Sequence, residues 1–260
     1  MITLPRSACR NDWDAFCLTH PNGWFWHTNA WLDYCLEYTP DSKDYSAVSF
    51  DERGIAILEP LITLDDRPVG GGRPLAPRLV RDQLLTNPPP LSQVIELATW
   101  TPADIRKSYR GLVRQQCEEF NFSIVDHHMF WKRIYTNIMA MREVHATEAG
   151  RYTRSAKTWG MMAEWITTGK GCAILAHDWN LNLVGFAYAI IYKSKAYYAS
   201  GAIMQDCGHA IQYKLIKYLK QRGIHYYELG EQGTATTEKE CAIEFFKRGF
   251  GGCCSTTAEH

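Results

Sequence analysis

Residues Ala196–Gly252 read AYYASGAIMQDCGHAIQYKLIKYLKQRGIHYYELGEQGTATTEKECAIEFFKRGFGG, and the order of elements in this stretch decides the fold. AYYASGAI combines aromatic and small residues in a strand-like pattern. Gly208–Arg222 puts Ile211, Leu215, Ile216 and Leu219 on one side of an amphipathic helix, and Gly223 supplies its stop. Ile224–Leu229 reads as the next strand. Lys239–Arg248 is a helix ending at Gly249, and a short last strand starts after Gly251 and Gly252.

Working outward, CAILAHD (172–178), LVGFAYAIIY (183–192) and AYYASGAI are three strands joined by the polar turns WNLN and KSK, an antiparallel meander. Helices at Phe130–Arg142 and Thr158–Thr168 precede it, after a strand at NFSIVD (121–126). The class expected is α+β, a mostly antiparallel sheet flanked by helices. In the first half, Thr28-Asn29 caps a helix within residues 24–38. Strands follow in residues 45–64, turning at DERG. The glycines of Val69–Pro77 allow close backbone approach to a ligand, or form a plain surface loop. Pro88-Pro89-Pro90 marks a boundary. Thr101-Pro102-Ala103-Asp104 starts a helix over Ile105–Phe120, whose Arg106, Arg110 and Arg114 share one face. Two domains are expected, residues 1–100 and 101–260.

The 260 residues are 46% hydrophobic and 22% charged, as in a folded globular protein. With 28 basic and 28 acidic residues the net charge is zero, so no global pull toward nucleic acid or anionic membrane exists. The nine cysteines form no CxxC pair, which fits neither a zinc site nor a disulfide framework. Reduced buried thiols, a soluble cytoplasmic setting and no metal are expected.

AYYASGAI, GHAIQYKLIKYLKQRGIHYYELGE and FFKRGFGG, in that order, resemble the C-terminal acyltransferase domain of the FemAB-like family within the GNAT-like superfamily (a BioF2-like acetyltransferase domain). RKSYRGLVR (106–114) resembles the basic helix that opens that domain. The similarity covers about residues 106–252. It implies two GNAT-like halves in tandem, acyl transfer to an amine in a cleft between them, and an acyl-CoA or aminoacyl-tRNA donor. The family's coiled-coil arm has no counterpart here, since no heptad run of that length occurs. That counts against a lipid-linked or cell-wall acceptor. The first half becomes the acceptor side.

Acyl transfer needs a neutral amine, a polarised carbonyl and a held donor. In GNAT-like folds two neighbouring parallel strands splay to admit the donor. Ala199-Ser200-Gly201-Ala202 and Glu228-Leu229-Gly230-Glu231 are expected on the two sides of that gap. Gln205-Asp206-Cys207-Gly208-His209-Ala210 fits a phosphate-binding Q-x-x-G-x-A at a helix N-terminus, or is an ordinary cap. The resemblance assigns Lys247 to donor or oxyanion charge, with Phe246 and Arg248 beside it on the donor. Glu228 and Glu231 are candidate bases, as is His209, and Tyr198 a candidate proton donor to the leaving group. Arg106, Arg110, Arg151 and Arg154 are expected to anchor an anionic acceptor, with Trp26, His27, Gly71 and Gly72 lining the acceptor side.

The function expected is N-acyl transfer from acyl-CoA to a small amine such as an amino sugar or nucleotide sugar. The alternatives are aminoacyl-tRNA-dependent transfer, a non-catalytic binding module with the same fold, and modification of a nucleic-acid amine.

Overall fold

The computed structural model describes residues 1–71, 75–83 and 91–255. Gly72 and the proline run at 88–90 therefore lie outside the described residues. The chain divides into two compact units, Met1–Pro88 and Pro89–His260. This division falls earlier than residue 100 because the strand Ser92–Glu96 is hydrogen-bonded to strands from the far end of the chain.

The first unit runs β1 (Ile2–Pro5), α1 (Arg10–Thr19), α2 (Asn29–Tyr38), β2 (Lys43–Asp44), β3 (Ala47–Asp51), β4 (Gly54–Glu59), β5 (Ile62–Leu64), β6 (Arg67–Pro68) and β7 (Leu79–Val80). Its main sheet has the order β1-β3-β4-β7, all antiparallel. The Thr28 hydroxyl caps α2 by accepting from the Trp31 amide, as its place before the apolar run requires. Trp13, Cys17, Leu32 and Cys35 of the helices are buried, as are Val48 and Leu58 of the sheet. Arg6 is buried too, and its guanidinium is held by Asp44 at 2.6 Å, Asp33 at 3.0 Å and Asn29 Oδ1 at 3.0 Å. A charge so far from water persists only with such partners.

The second unit runs β8 (Ser92–Glu96), α3 (Lys107–Glu119), β9 (Asn121–Val125), α4 (Trp131–Ala149), α5 (Ala156–Thr167), β10 (Gly171–His177), β11 (Leu183–Tyr192), β12 (Lys195–Ile203), α6 (Gly208–Gln221), β13 (Tyr226–Glu231), α7 (Glu238–Arg248) and β14 (Cys253–Ser255). Among the described residues these strands form one seven-stranded sheet, β14-β8-β13-β12-β11-β10-β9. Only β12 and β13 pair in parallel. The expected meander is β10-β11-β12. The core on one face joins Ile174, Ala187, Ala196 and Tyr227 of the sheet to Ile211 and Leu215 of α6. On β11, Tyr188 donates its hydroxyl to the Met162 carbonyl of α5 at 3.0 Å. Burial from both sides explains why β11 is apolar along nearly its whole length.

Two boundaries differ from the sequence reading. Thr101–Asp104 closes a separate 3-10 turn, with Asp104 accepting from the Thr101 amide at 2.6 Å, and α3 starts only at Lys107. Arg106 thus precedes the helix rather than belonging to its basic stripe. Helix α4 continues past Arg142 because no breaker occurs before Gly150, whose φ of +69° ends it.

The units share an order: strand, two helices, three antiparallel strands. In the first it is β1-α1-α2-β3-β4-β7, in the second β9-α4-α5-β10-β11-β12. Only the second continues to a further helix and a parallel strand. Among the described residues no helix is long and apolar enough to cross a membrane. Cys9, Cys17, Cys35, Cys172 and Cys207 are buried, but Cys241, Cys253 and Cys254 are exposed, against the expectation of buried thiols.

Candidate active site

The parallel ladder between β12 and β13 holds three pairs and ends at Tyr197↔Glu228. Beyond it β12 stays paired with β11 as far as Ile203, and β13 stays paired with β8 as far as Glu231. Each strand carries a bulge at the point of parting. Tyr188 and Ala189 of β11 face Ser200 and Tyr198, leaving Ala199 as the extra residue. Glu228 and Gly230 face Val94 and Gln93, leaving Leu229 as the extra one. A bulge bends its strand and tightens its twist, so two bulges at one level turn the strands apart. Beyond this point the backbone groups of the two strands no longer pair with each other. This is the gap expected between residues 199–202 and 228–231.

Lys247 reaches this point from the end of α7. Its Nζ lies 3.2 Å from where a Cβ on Gly230 would be, and the Tyr197 hydroxyl 3.4 Å from the same place. Gly230 has φ +93° and no side chain, and both facts are needed for that approach. Burial lowers the Lys247 pKa from its ordinary value, against the carboxylates of Glu244, Glu231 and Glu228, which raise it. Glu228 is buried and accepts a hydrogen bond from the Ser92 hydroxyl at 2.8 Å. Lys195, two residues before Tyr197, has its pKa lowered by burial, with Glu228 opposing. The site therefore gathers a partly desolvated ammonium, two carboxylates and a phenol at the mouth of a splayed strand pair.

The FKRGFGG block fixes the helix end that carries Lys247. Thr237 and Glu240 close a capping box at the start of α7. At its far end Arg106 N donates to Gly249 O at 2.8 Å, Trp100 Nε1 to Phe250 O at 2.9 Å and Gln93 Nε2 to Gly251 O at 2.7 Å. A Cβ on Gly249 would lie 2.6 Å from Cδ2 of Tyr109. Phe250 is fully buried.

The other donor-side residues fall in two places. Ser200 is buried on β12 and accepts from Arg154 Nη1 at 2.9 Å, so an expected donor residue and an expected acceptor residue meet. Ala202 is buried. Tyr198 packs against the sheet core, where burial pushes its pKa up to about 12. It hydrogen-bonds Gln212, which also accepts from the Tyr227 hydroxyl at 2.9 Å. Gly201 is small because the Tyr198 hydroxyl occupies the place of its Cβ. Tyr198 thus belongs to the core, and Tyr197, one residue earlier on the opposite pleat, belongs to the site.

At the start of α6 one backbone amide is taken by a side chain. Gln116 of α3 accepts from the Ala210 amide at 3.0 Å and donates to Asp206 at 2.9 Å. His209 packs against Tyr109 and Phe246, at ring separations of 4.3 and 5.1 Å. Burial lowers its pKa, opposed by Asp206. Gly208 is buried with Phe246 nearby, while Gln205 and Arg248 are exposed.

On the acceptor side, Trp26 and His27 are core residues of the first unit. Trp26 packs on Trp31 at 4.5 Å, and His27 Nε2 meets the Pro77 carbonyl at 3.1 Å. At Gly71, φ is +64° and a Cβ would lie 2.9 Å from Cys35 Sγ. The Arg106 guanidinium lies 3.8 Å from the Phe245 ring centre. Arg110 donates to the Ile105 and Ala103 carbonyls, closing the 3-10 turn. Arg151 is exposed. Of these residues Arg154 is brought to β12, and the rest are accounted for by local packing or lie on the surface.

No family model and no curated protein matches this sequence. Solved structures do match. FemX superposes with a TM-score of 0.67 at 11% identity, covering 99% of this chain and 96% of FemX. A tandem GNAT protein from the clavulanic acid biosynthesis pathway superposes with a TM-score of 0.54 at 11% identity, over 97% of this chain and 95% of its own. This is a FemAB-like, tandem GNAT fold. The expected fold class and resemblance therefore hold, and the repeated strand–helix–helix–meander order is the structural basis of the tandem. Among the described residues no group of His, Cys, Asp and Glu is arranged to hold a metal ion.

Proposed function

We propose that this chain is an N-acyltransferase working at the opening between β12 and β13. One observation carries the reading: the parallel ladder stops at Tyr197↔Glu228, and Lys247 Nζ meets Gly230 at that spot. The acceptor amine attacks the acyl carbonyl, and Glu228 takes the proton that the nitrogen loses. The developing oxyanion lies beside the Lys247 ammonium, in a site dry enough to strengthen that attraction. Collapse breaks the bond to sulfur or oxygen, and the Tyr197 hydroxyl protonates the leaving group. Glu231 adds to the field that keeps Lys247 charged. The acceptor is a small amine such as an amino sugar or nucleotide sugar, with Arg154 the anchor nearest the gap. Both donor classes are intracellular, and a cytoplasmic setting is part of this proposal.

The donor is acyl-CoA in the first reading and aminoacyl-tRNA in the second. The start of α6 favours the second, because Gln116 takes the Ala210 amide, one of those a pyrophosphate would use. Incubation with a set of acyl-CoAs and aminoacyl-tRNAs, each with amino-sugar acceptors, decides between them. Transfer from one donor class is expected, and no transfer from any would overturn the proposal.

A further inference from the structure

Gln232 follows β13 directly and is 5% exposed. Its backbone amide donates to the Leu91 carbonyl at 2.8 Å, so the ladder from Glu231↔Ser92 runs one residue further. Its side chain is different: neither Nε2 nor Oε1 has a hydrogen-bond partner among the described residues. Leaving a buried polar group unsatisfied destabilises the fold, and a carboxamide holds both a donor and an acceptor. Nearby buried amides are satisfied: Gln93 donates to Gly251, and Gln212 accepts from Tyr227. Strand alternation puts the Gln232 side chain on the same face as the missing Cβ of Gly230, the place that Lys247 Nζ and the Tyr197 hydroxyl approach. Two residues along a strand span about 7 Å.

We infer that Gln232 is a ligand-recognising residue of this site, its carboxamide pairing with an amide group of a substrate about 7 Å from the reacting centre. An amide is the group that fits, because it offers one acceptor and one donor to the donor and acceptor of Gln232. A carboxylate or phosphate would satisfy Nε2 alone, and an ammonium Oε1 alone. Two substrates carry amides at such a distance: a donor with a pantetheine arm, and an acceptor with an N-acyl or peptide group. This inference rests on the acyltransferase reading for the identity of the reacting centre, and on burial and geometry alone for the binding.

The test compares wild type with Gln232→Met, which keeps length and removes both polar atoms. In the ligand-free protein Gln232→Met is expected to raise the melting temperature, since it removes unsatisfied groups from the interior. A fall in midpoint, or failure to fold, would show that Gln232 has structural partners and would overturn the inference. Pantetheine and N-acetylglucosamine are then added separately at millimolar concentration. One of them is expected to raise the wild-type midpoint and leave Gln232→Met unmoved, and which one does so identifies the source of the amide. If neither shifts wild type, or both proteins shift equally, the inference is wrong. These readouts need no turnover, so absence of acyl transfer with every donor would sink the enzyme reading and leave this result standing.

Discussion

The two units begin alike and then diverge, and the proposed chemistry sits where they diverge. In the first, β4 is followed by the small β5-β6 pieces and by a two-residue β7 paired antiparallel to it. In the second, the last meander strand is followed by α6 and by β13 in parallel. An antiparallel neighbour that stays in register gives a closed ladder. A parallel neighbour joined through a helix, with a bulge on each strand, gives a ladder that opens after three pairs. The buried charges follow the same division. Arg6 in the first unit is fully engaged with Asp33, Asp44 and Asn29. Lys247 in the second approaches a glycine backbone and a phenol. The first arrangement stabilises a fold, and the second suits an anionic intermediate.

Substitutions can break this comparison on either side. The largest stability effect is expected at Arg6→Ala, which removes a buried guanidinium from Asp44 and from Asp33, the latter still held by Arg10, and should cost about 3 kcal/mol. Hydrogen exchange should show protection lost in α1 and α2. If that substitution left protection intact, the Arg6 network would not be holding the first unit. Gly249→Ala comes next, because its Cβ would press into the Tyr109 ring. A cost of about 1–3 kcal/mol is expected for such overpacking, together with reduced turnover as Lys247 moves. Gly54→Ala in the β3–β4 turn of the first unit is the control. Among the described residues nothing lies within 4 Å of its Cβ, so only the strain of φ +102° applies, about 1–2 kcal/mol. Chemical denaturation of the two variants reads both effects, and no loss at Gly249→Ala would show that the Tyr109 contact contributes nothing.

The smallest of these effects is in pH. Burial lowers the Lys247 pKa, so its ammonium is lost as pH rises through a value below the usual 10.5 for lysine. Turnover should therefore fall on the alkaline side earlier than an ordinary lysine would allow. The stability sign is the reverse. A lowered folded pKa makes the charged form a liability at neutral pH, relieved as pH rises toward 10.5. An alkaline limb at or above 10.5 would show that Lys247 is solvated.

Much of the second unit was legible because its signals are local. The meander has short polar turns, α6 an apolar stripe and a glycine stop, and the FFKRGFGG block a fixed spacing. The end of the β12–β13 ladder falls beside the residues named for the gap. Pleat and tertiary partners were less legible. Tyr197 and Tyr198 are both strand tyrosines, and only the cross-strand pair Tyr197↔Glu228 puts the first at the site. Gln116 lies 90 residues before the Asp206 it bonds, and no spacing rule predicts that it covers the start of α6. The tandem came from the family resemblance and not from a repeat: the halves share an order of elements and no recognisable sequence repeat. Strand Ser92–Glu96 reads as part of the first half until its pairing with β13 and β14 is seen.

The most direct test of the central claim is the turnover of Lys247→Ala with the donor and acceptor that wild type uses, measured beside its melting curve. Loss of an oxyanion partner should cut turnover by about 100–1,000-fold, with the melting temperature unchanged or slightly raised, since a desolvated charge has gone. Turnover within about threefold of wild type would contradict the assignment of the β12–β13 opening as the site of acyl transfer.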